Sequence, residues 1–163
     1  MTQLKKHKRI LLVVVPVVTC LILLVSFGAL PVGAQVSVTV TPSTVAYGIV
    51  ALGTSNTASQ QLTVTNNSGV TTENFSIKSS DATRGSGTTW ELVTGTPSNS
   101  EFKHESSLNG TDWTPMPANN DYITLATDIA PGNSVTVYLR ISMPGSTIDY
   151  LEHTITITIL ASE

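Results

Sequence analysis

Ser134-Val135-Thr136-Val137-Tyr138-Leu139-Arg140-Ile141-Ser142-Met143 and, closer to the end, Thr154-Ile155-Thr156-Ile157-Thr158-Ile159 decide the fold class. In the first stretch Val135, Val137, Leu139, Ile141 and Met143 alternate with Thr136, Tyr138, Arg140 and Ser142. In the second, Ile155, Ile157 and Ile159 alternate with threonines. A period of two sends successive side chains to opposite faces of an extended strand, and β-branched residues suit that surface. One apolar and one polar face is the pattern of an antiparallel sheet with a wet side.

The same pattern recurs upstream. Val36, Val38 and Val40 alternate with Ser37, Thr39 and Thr41 until Pro42. Val45, Tyr47 and Ile49 form a second short piece. Leu62 with Val64, Phe75 with Ile77, residues 90–93 and residues 122–125 supply further strands. Asn66-Asn67-Ser68-Gly69 and Pro115-Met116-Pro117-Ala118-Asn119-Asn120 are turn clusters. No window of helical length carries apolar spacing of three and four. Strands at this spacing predict an all-β fold, an immunoglobulin-like antiparallel β-sandwich of about eight or nine strands. Around Asn109-Gly110, a two-residue type I′ turn is expected, with Leu108 opposite Thr111, Ser107 opposite Asp112 and Ser106 opposite Trp113.

The N-terminus reads differently. Lys5, Lys6, Lys8 and Arg9 precede an apolar run over residues 10–30, and Val32-Gly33-Ala34-Gln35 fits a signal-peptidase site between Ala34 and Gln35. Residues 1–34 are therefore expected to be a signal peptide, with an uncleaved signal-anchor helix as the competitor. Residues 35–163 are expected to be one exported domain. The membrane is reached only through the N-terminal segment if it stays uncleaved.

Composition narrows the function. The 129 residues from Gln35 on carry 4 basic and 11 acidic side chains, a net charge of −7. That excludes a basic nucleic-acid binder, because phosphate contacts need clustered Lys and Arg. The one cysteine, Cys20, lies in the leader, so the exported part has no disulfide and no thiol chemistry. The same part holds 23 Thr and 17 Ser, as suits a β-rich exported domain.

Val40-Thr41-Pro42-Ser43-Thr44-Val45-Ala46-Tyr47-Gly48-Ile49-Val50-Ala51-Leu52-Gly53-Thr54, followed by Leu62-Thr63-Val64-Thr65-Asn66, resembles the opening strands of Ig-like domains in exported prokaryotic surface proteins. It also resembles the broader ASPM–SPD-2–Hydin-like and major-sperm-protein-like sandwiches. The segment holding Phe102, Asn109-Gly110 and Trp113, and the ending His153-Thr154-Ile155-Thr156-Ile157-Thr158-Ile159, fit that likeness over the whole exported chain. The motif is made of turn and core positions, so it implies a scaffold or adhesive role and no catalysis. A narrower likeness is to camelysin-type biofilm-matrix fibre subunits. It implies that Val36, Val38 and Val40 form a strand donated to a neighbouring subunit; the simpler expectation is that this strand pairs within its own sheet.

Chemical motifs are sparse. His104 beside Glu105 and His153 beside Glu152 are read as surface or rim histidines, since adjacent strand residues face opposite ways. No metalloprotease, nucleophile-elbow, Walker or dinucleotide pattern occurs, so no enzyme and no cofactor is expected. Asp121 with Asn119 and Asn120, or Asp81, Asp112 and Asp128, are hard-oxygen groups, but no calcium loop is formed and turn residues are the expectation. Trp90 and Trp113 are candidate sugar platforms, and Tyr138 with Arg140 a candidate contact surface. Asn66, Asn74 and Asn109 lie in glycosylation sequons, Asn109 being needed in its turn. The expectation is a secreted or outer-cell-surface protein of the matrix or of adhesion, non-enzymatic, whose partners are itself, other surface proteins or glycans. The alternatives are a strand-donating fibre subunit and a carbohydrate-binding module.

Overall fold

A computed structural model describes residues 35–58, 61–85, 87–119 and 121–163. The expected leader, including Ala34 of the cleavage pair, and Asn120 lie outside the described residues. The described chain is all-β, with ten strands: β1 Val38–Thr41, β2 Thr57–Ala58, β3 Leu62–Asn66, β4 Glu73–Ser79, β5 Glu91–Leu92, β6 Glu101–Ser107, β7 Thr114–Pro115, β8 Ile123–Ile129, β9 Ser134–Ser142 and β10 Ile157–Ser162. The larger sheet runs β1-β3-β9-β6-β5, with β2 added to β9 and β7 to β6; the smaller runs β10-β4-β8.

One core joins both sheets. Leu62 and Val64 of β3, Val137, Leu139 and Ile141 of β9 and Phe102 of β6 pack with Phe75 and Ile77 of β4 and Leu125 of β8. Ile155, Ile157 and Ile159 cover it from the end of the chain, as their alternation predicts. Val38 and Val40 reach the core from β1. The period-two residues are thus the ones that exclude water, and their burial is the main stabilising term.

Four expectations are corrected. Residues 45–49 form no strand. Val45 and Tyr47 still pack on the core while Ile49 is fully exposed, because Gly48 has φ +70° and breaks the extended run. The sheets are not wholly antiparallel, since β5 runs parallel to β6, pairing Glu91 with Glu101 and Leu92 with Phe102. The Asn109-Gly110 hairpin is not a two-residue type I′ turn. Only Gly110 of the two has positive φ, at +73°, and β6 pairs β7 as Ser106 with Thr114 and Glu105 with Pro115. The register is one residue longer because Asn109 Oδ1 accepts the amides of Thr111 and Asp112, which widens the turn. The last strand is displaced, running to Ser162, with Thr154 only bridging Thr83.

Candidate functional site

Three regions hold the chemically able side chains. The first is the outer face of β6 and β9. Glu105 pairs Arg140 across the ladder, and Ser107 pairs Tyr138. Inward positions of both strands are core, so Lys103, Glu105, Tyr138 and Arg140 share the outer face. Arg140 Nε donates to Glu105 Oε2 at 2.7 Å, and Lys103 Nζ lies 3.3 Å from the same oxygen. The Arg140 guanidinium also lies 4.4 Å from the centre of the Trp113 ring, a cation–π contact. Burial works against the Glu105 carboxylate, but the hydrogen bonds and charges of Arg140 and Lys103 outweigh it and hold its carboxyl below the usual range. Tyr138 is half-buried under the turn, and a Cβ on Gly110 would lie 3.6 Å from its ring. The predicted Tyr138, Arg140 and Trp113 set is therefore assembled on one face, already tied to Glu105.

Trp90 belongs elsewhere. It is buried, donates from Nε1 to Thr147 Oγ1 at 3.2 Å and stacks on His153 with ring centres 3.9 Å apart. It cannot offer a face to a sugar, so that expectation is withdrawn for Trp90.

The second region is the loop around Trp90 and residues 147–153. Asp149 is buried and accepts from Arg84 Nε at 2.9 Å, Thr88 N at 3.2 Å and Leu151 N at 3.1 Å. The Leu151 amide, with Arg84 and Thr88 adding to it against burial, keeps its carboxyl below the ordinary range. His153 places Nδ1 2.8 Å from Leu151 O and Nε2 2.8 Å from Thr88 O. Its side chain is not on the rim. It is packed under the loop, 3 % exposed. This bracing turns the alternation inside out. Thr147 and Asp149 point in, while Ile148, Tyr150 and Leu151 are 89 %, 76 % and 60 % exposed. Between Arg84 and Gly87 on one side and those apolar residues on the other lies an open depression of about 640 Å³. In the sequence these residues are only a short link between Pro144-Gly145 and the Ile155–Ile159 alternation, and nothing local marks Thr147 and Asp149 as inward.

The third region is interior. His104 is fully buried, not on the surface as expected. Its Nε2 is 2.7 Å from Tyr47 Oη and its Nδ1 is 2.8 Å from Ser79 Oγ. Burial pushes its pKa down to about 4 against the opposing charge of Glu105. The sequence signal was present: His104 is in phase with buried Phe102 and Ser106.

The sequons behave unequally. Asn66 is fully buried, with Nδ2 donating to Thr71 O and Ile129 O at 2.7 Å each, so it cannot carry a glycan in the folded domain. Asn74 Oδ1 accepts the Asp128 amide, and Asn109 Nδ2 donates to Asp112. Among the described residues, no three His, Cys, Asp or Glu side chains are grouped to hold a metal. Asp81 accepts the Leu92 amide, and Asp121 accepts from Asn119. Among the described residues, no helix is long and apolar enough to cross a membrane. Comparison with family models, with curated proteins and with solved structures returns no match.

Proposed function

We propose that the chain is an exported, non-enzymatic protein of the cell surface or extracellular matrix, working through contacts made by its folded domain. The observation that carries this is the braced loop at residues 147–153. Three large apolar side chains are held out in solvent by a buried Asp149, a buried Thr147 and a packed His153. Ordering such a loop costs conformational entropy, and exposed apolar groups beside a depression mark interaction surfaces. Both histidines of the domain are held by structural partners, which favours a contact role over catalysis.

The finer fold reading is an immunoglobulin-like sandwich. The order β1-β3-β9-β6 and the antiparallel pair β4–β10 support it, matching an A-B-E-D sheet and a C–F pair. The strand β8 departs from that plan: it comes between the D and E counterparts in chain order, yet it pairs β4 at the edge of the smaller sheet.

Fibre assembly by N-terminal strand donation is the second reading. The strand β1 favours it, being near the start of the exported part and, among the described residues, hydrogen-bonded in a ladder to β3 alone. Here Val38 and Val40 pair within their own sheet, so donation would exchange like for like. The carbohydrate-binding reading retains only Trp113, one face of which is met by Arg140.

The test is adhesion of the purified domain to its producing cells, measured by flow cytometry, with Ile148→Ser/Tyr150→Ser against wild type. Lost adhesion with an unchanged melting temperature supports the reading, and unchanged adhesion overturns it. Negative-stain microscopy of the exported product reads the fibre alternative directly.

A further inference from the structure

Glu73 opens β4 and is fully buried. Its Oε1 accepts the Ser37 amide at 2.7 Å, yet Oε2 is the one buried side-chain oxygen or nitrogen among the described residues with no hydrogen-bond partner. A carboxylate oxygen taken out of water needs a donor, and a cation serves best. The side-chain cations of the domain are all committed elsewhere. Lys78 lies over Tyr122, Arg84 binds Asp149, and Lys103 and Arg140 bind Glu105. His104 and His153 face other partners. Asn66 spends its amide on Thr71 and Ile129.

One cation remains within reach, and it does not exist until the leader is removed. We propose that cleavage between Ala34 and Gln35 creates the partner of Glu73: the new α-ammonium of Gln35 closes onto Oε2 and clamps the start of β1. The hydrolysis adds one water, leaving a carboxylate on Ala34 and the ammonium on Gln35. Gln35 is two residues before Ser37, whose amide already holds the other oxygen, and two residues span at most about 7 Å. Residues 35–37 precede β1 outside any strand or turn, and a bend at Val36 once the leader is gone would bring both nitrogens to one carboxylate, as successive backbone N–H groups do in anion-binding nests. The Ser37 carbonyl accepts the Asn67 amide at 2.7 Å, and β1 begins at the next residue. An ion pair here therefore fixes the β1–β3 register and makes firm strand pairing a consequence of export. The inference rests on the export reading above.

The described residues from Gln35 on form a compact unit with one core of its own, so the domain can be prepared alone. A chain starting at Gln35 is compared with the same chain after glutaminyl cyclase. In that reaction the α-nitrogen attacks the side-chain amide carbon, ammonia leaves and a neutral lactam remains. The expected result is a melting temperature about 3–6 °C lower for the lactam, with no such difference in Glu73→Gln. Equal melts in the wild type overturn the proposal, as a bound water or metal ion at Glu73 would give. A difference that persists in Glu73→Gln also overturns it. Should Glu73→Gln not fold, NMR titration of the Gln35 α-amine in the wild type decides. A value above the ordinary range of about 7.7–8.0 supports the pair, and a value within it refutes it. Mass spectrometry of the exported protein reads the processing step separately: a first residue other than Gln35 refutes that step even where the melts show the ion pair.

Discussion

The imidazole of His104, on β6 of the larger sheet, is hydrogen-bonded through Nδ1 to the hydroxyl of Ser79, on β4 of the smaller sheet, at 2.8 Å. The ring thus joins the two layers through the core, and Tyr47 closes its other nitrogen at 2.7 Å. Both partners are hydroxyls, which donate or accept, so a neutral imidazole is satisfied in either tautomer. An imidazolium here would be a buried charge with no counter-ion on the ring.

This fixes a pH dependence of stability. The His104 pKa falls from 6.5 to about 4 on folding, chiefly by burial. Between those values the unfolded chain binds the proton and the native chain does not, so stability is full above pH 6.5 and declines as pH falls toward 4. The loss is about 3 kcal/mol. The contributions of Glu105 and Asp149, whose carboxyls are held below their usual values of 4.5 and 3.8, begin to fade as pH drops below those values, so the Glu105 loss overlaps only the low end of the His104 decline. Urea unfolding across pH 4–8 should show the early decline, and His104→Gln should remove its slope over that window.

Much of this was legible beforehand. The alternations of Val135 to Met143 and of Ile155 to Ile159 name core residues correctly, because a period of two has only one way to bury an apolar face. What was not legible rests on partners that no alternation pattern encodes. The parallel β5–β6 pairing rests on two residues of β5, too few for a pattern. The hairpin register follows from the side-chain oxygen of Asn109 capturing two amides, which competes with the tight turn that Asn-Gly otherwise favours. Asp149 turns inward because Arg84, Thr88 and Leu151 meet it there, and Thr88 is 61 residues away in the chain.

On the outer face, Arg140 is the shared partner of Glu105 and Trp113. Arg140→Ala leaves a nearly buried carboxylate with Lys103 alone and should cost about 2 kcal/mol in urea unfolding. Arg140→Lys should recover less than half, since an ammonium reproduces neither the planar stack nor the donor geometry. Full recovery by lysine would mean that charge alone matters at this site.

Gly87 supports the exposed loop. A Cβ there would lie 2.6 Å from Asp149 Oδ2, nearer than real contacts allow. Asp149 is held by three donors, so it has little room to give. Gly87→Ala should break the Arg84–Asp149 pair and destabilise the domain by about 1–3 kcal/mol. Faster hydrogen exchange at the Thr88 and Leu151 amides would locate the damage, and unchanged exchange would show that the carboxylate had simply moved aside.

Asn66 gives the sharpest contrast between a sequence motif and its structural use. Its Nδ2 meets two carbonyl oxygens and its Oδ1 accepts the Ser68 amide at 2.9 Å, so the side chain closes the turn between β3 and β4. Asn66→Ala removes these bonds, leaving Thr71 O with the Ser68 hydroxyl and taking the side-chain donor from Ile129 O, at a cost of about 1–3 kcal/mol. Asn66→Asp keeps the shape but turns a carboxylate oxygen toward the carbonyls of Thr71 and Ile129, so it should be worse than alanine at pH 7. Lowering the pH toward the carboxyl range restores a donor and should narrow the gap. Thermal melts of the two variants at pH 4 and pH 7 check this. An aspartate as stable as the wild type at pH 7 would mean that the two carbonyl contacts contribute nothing.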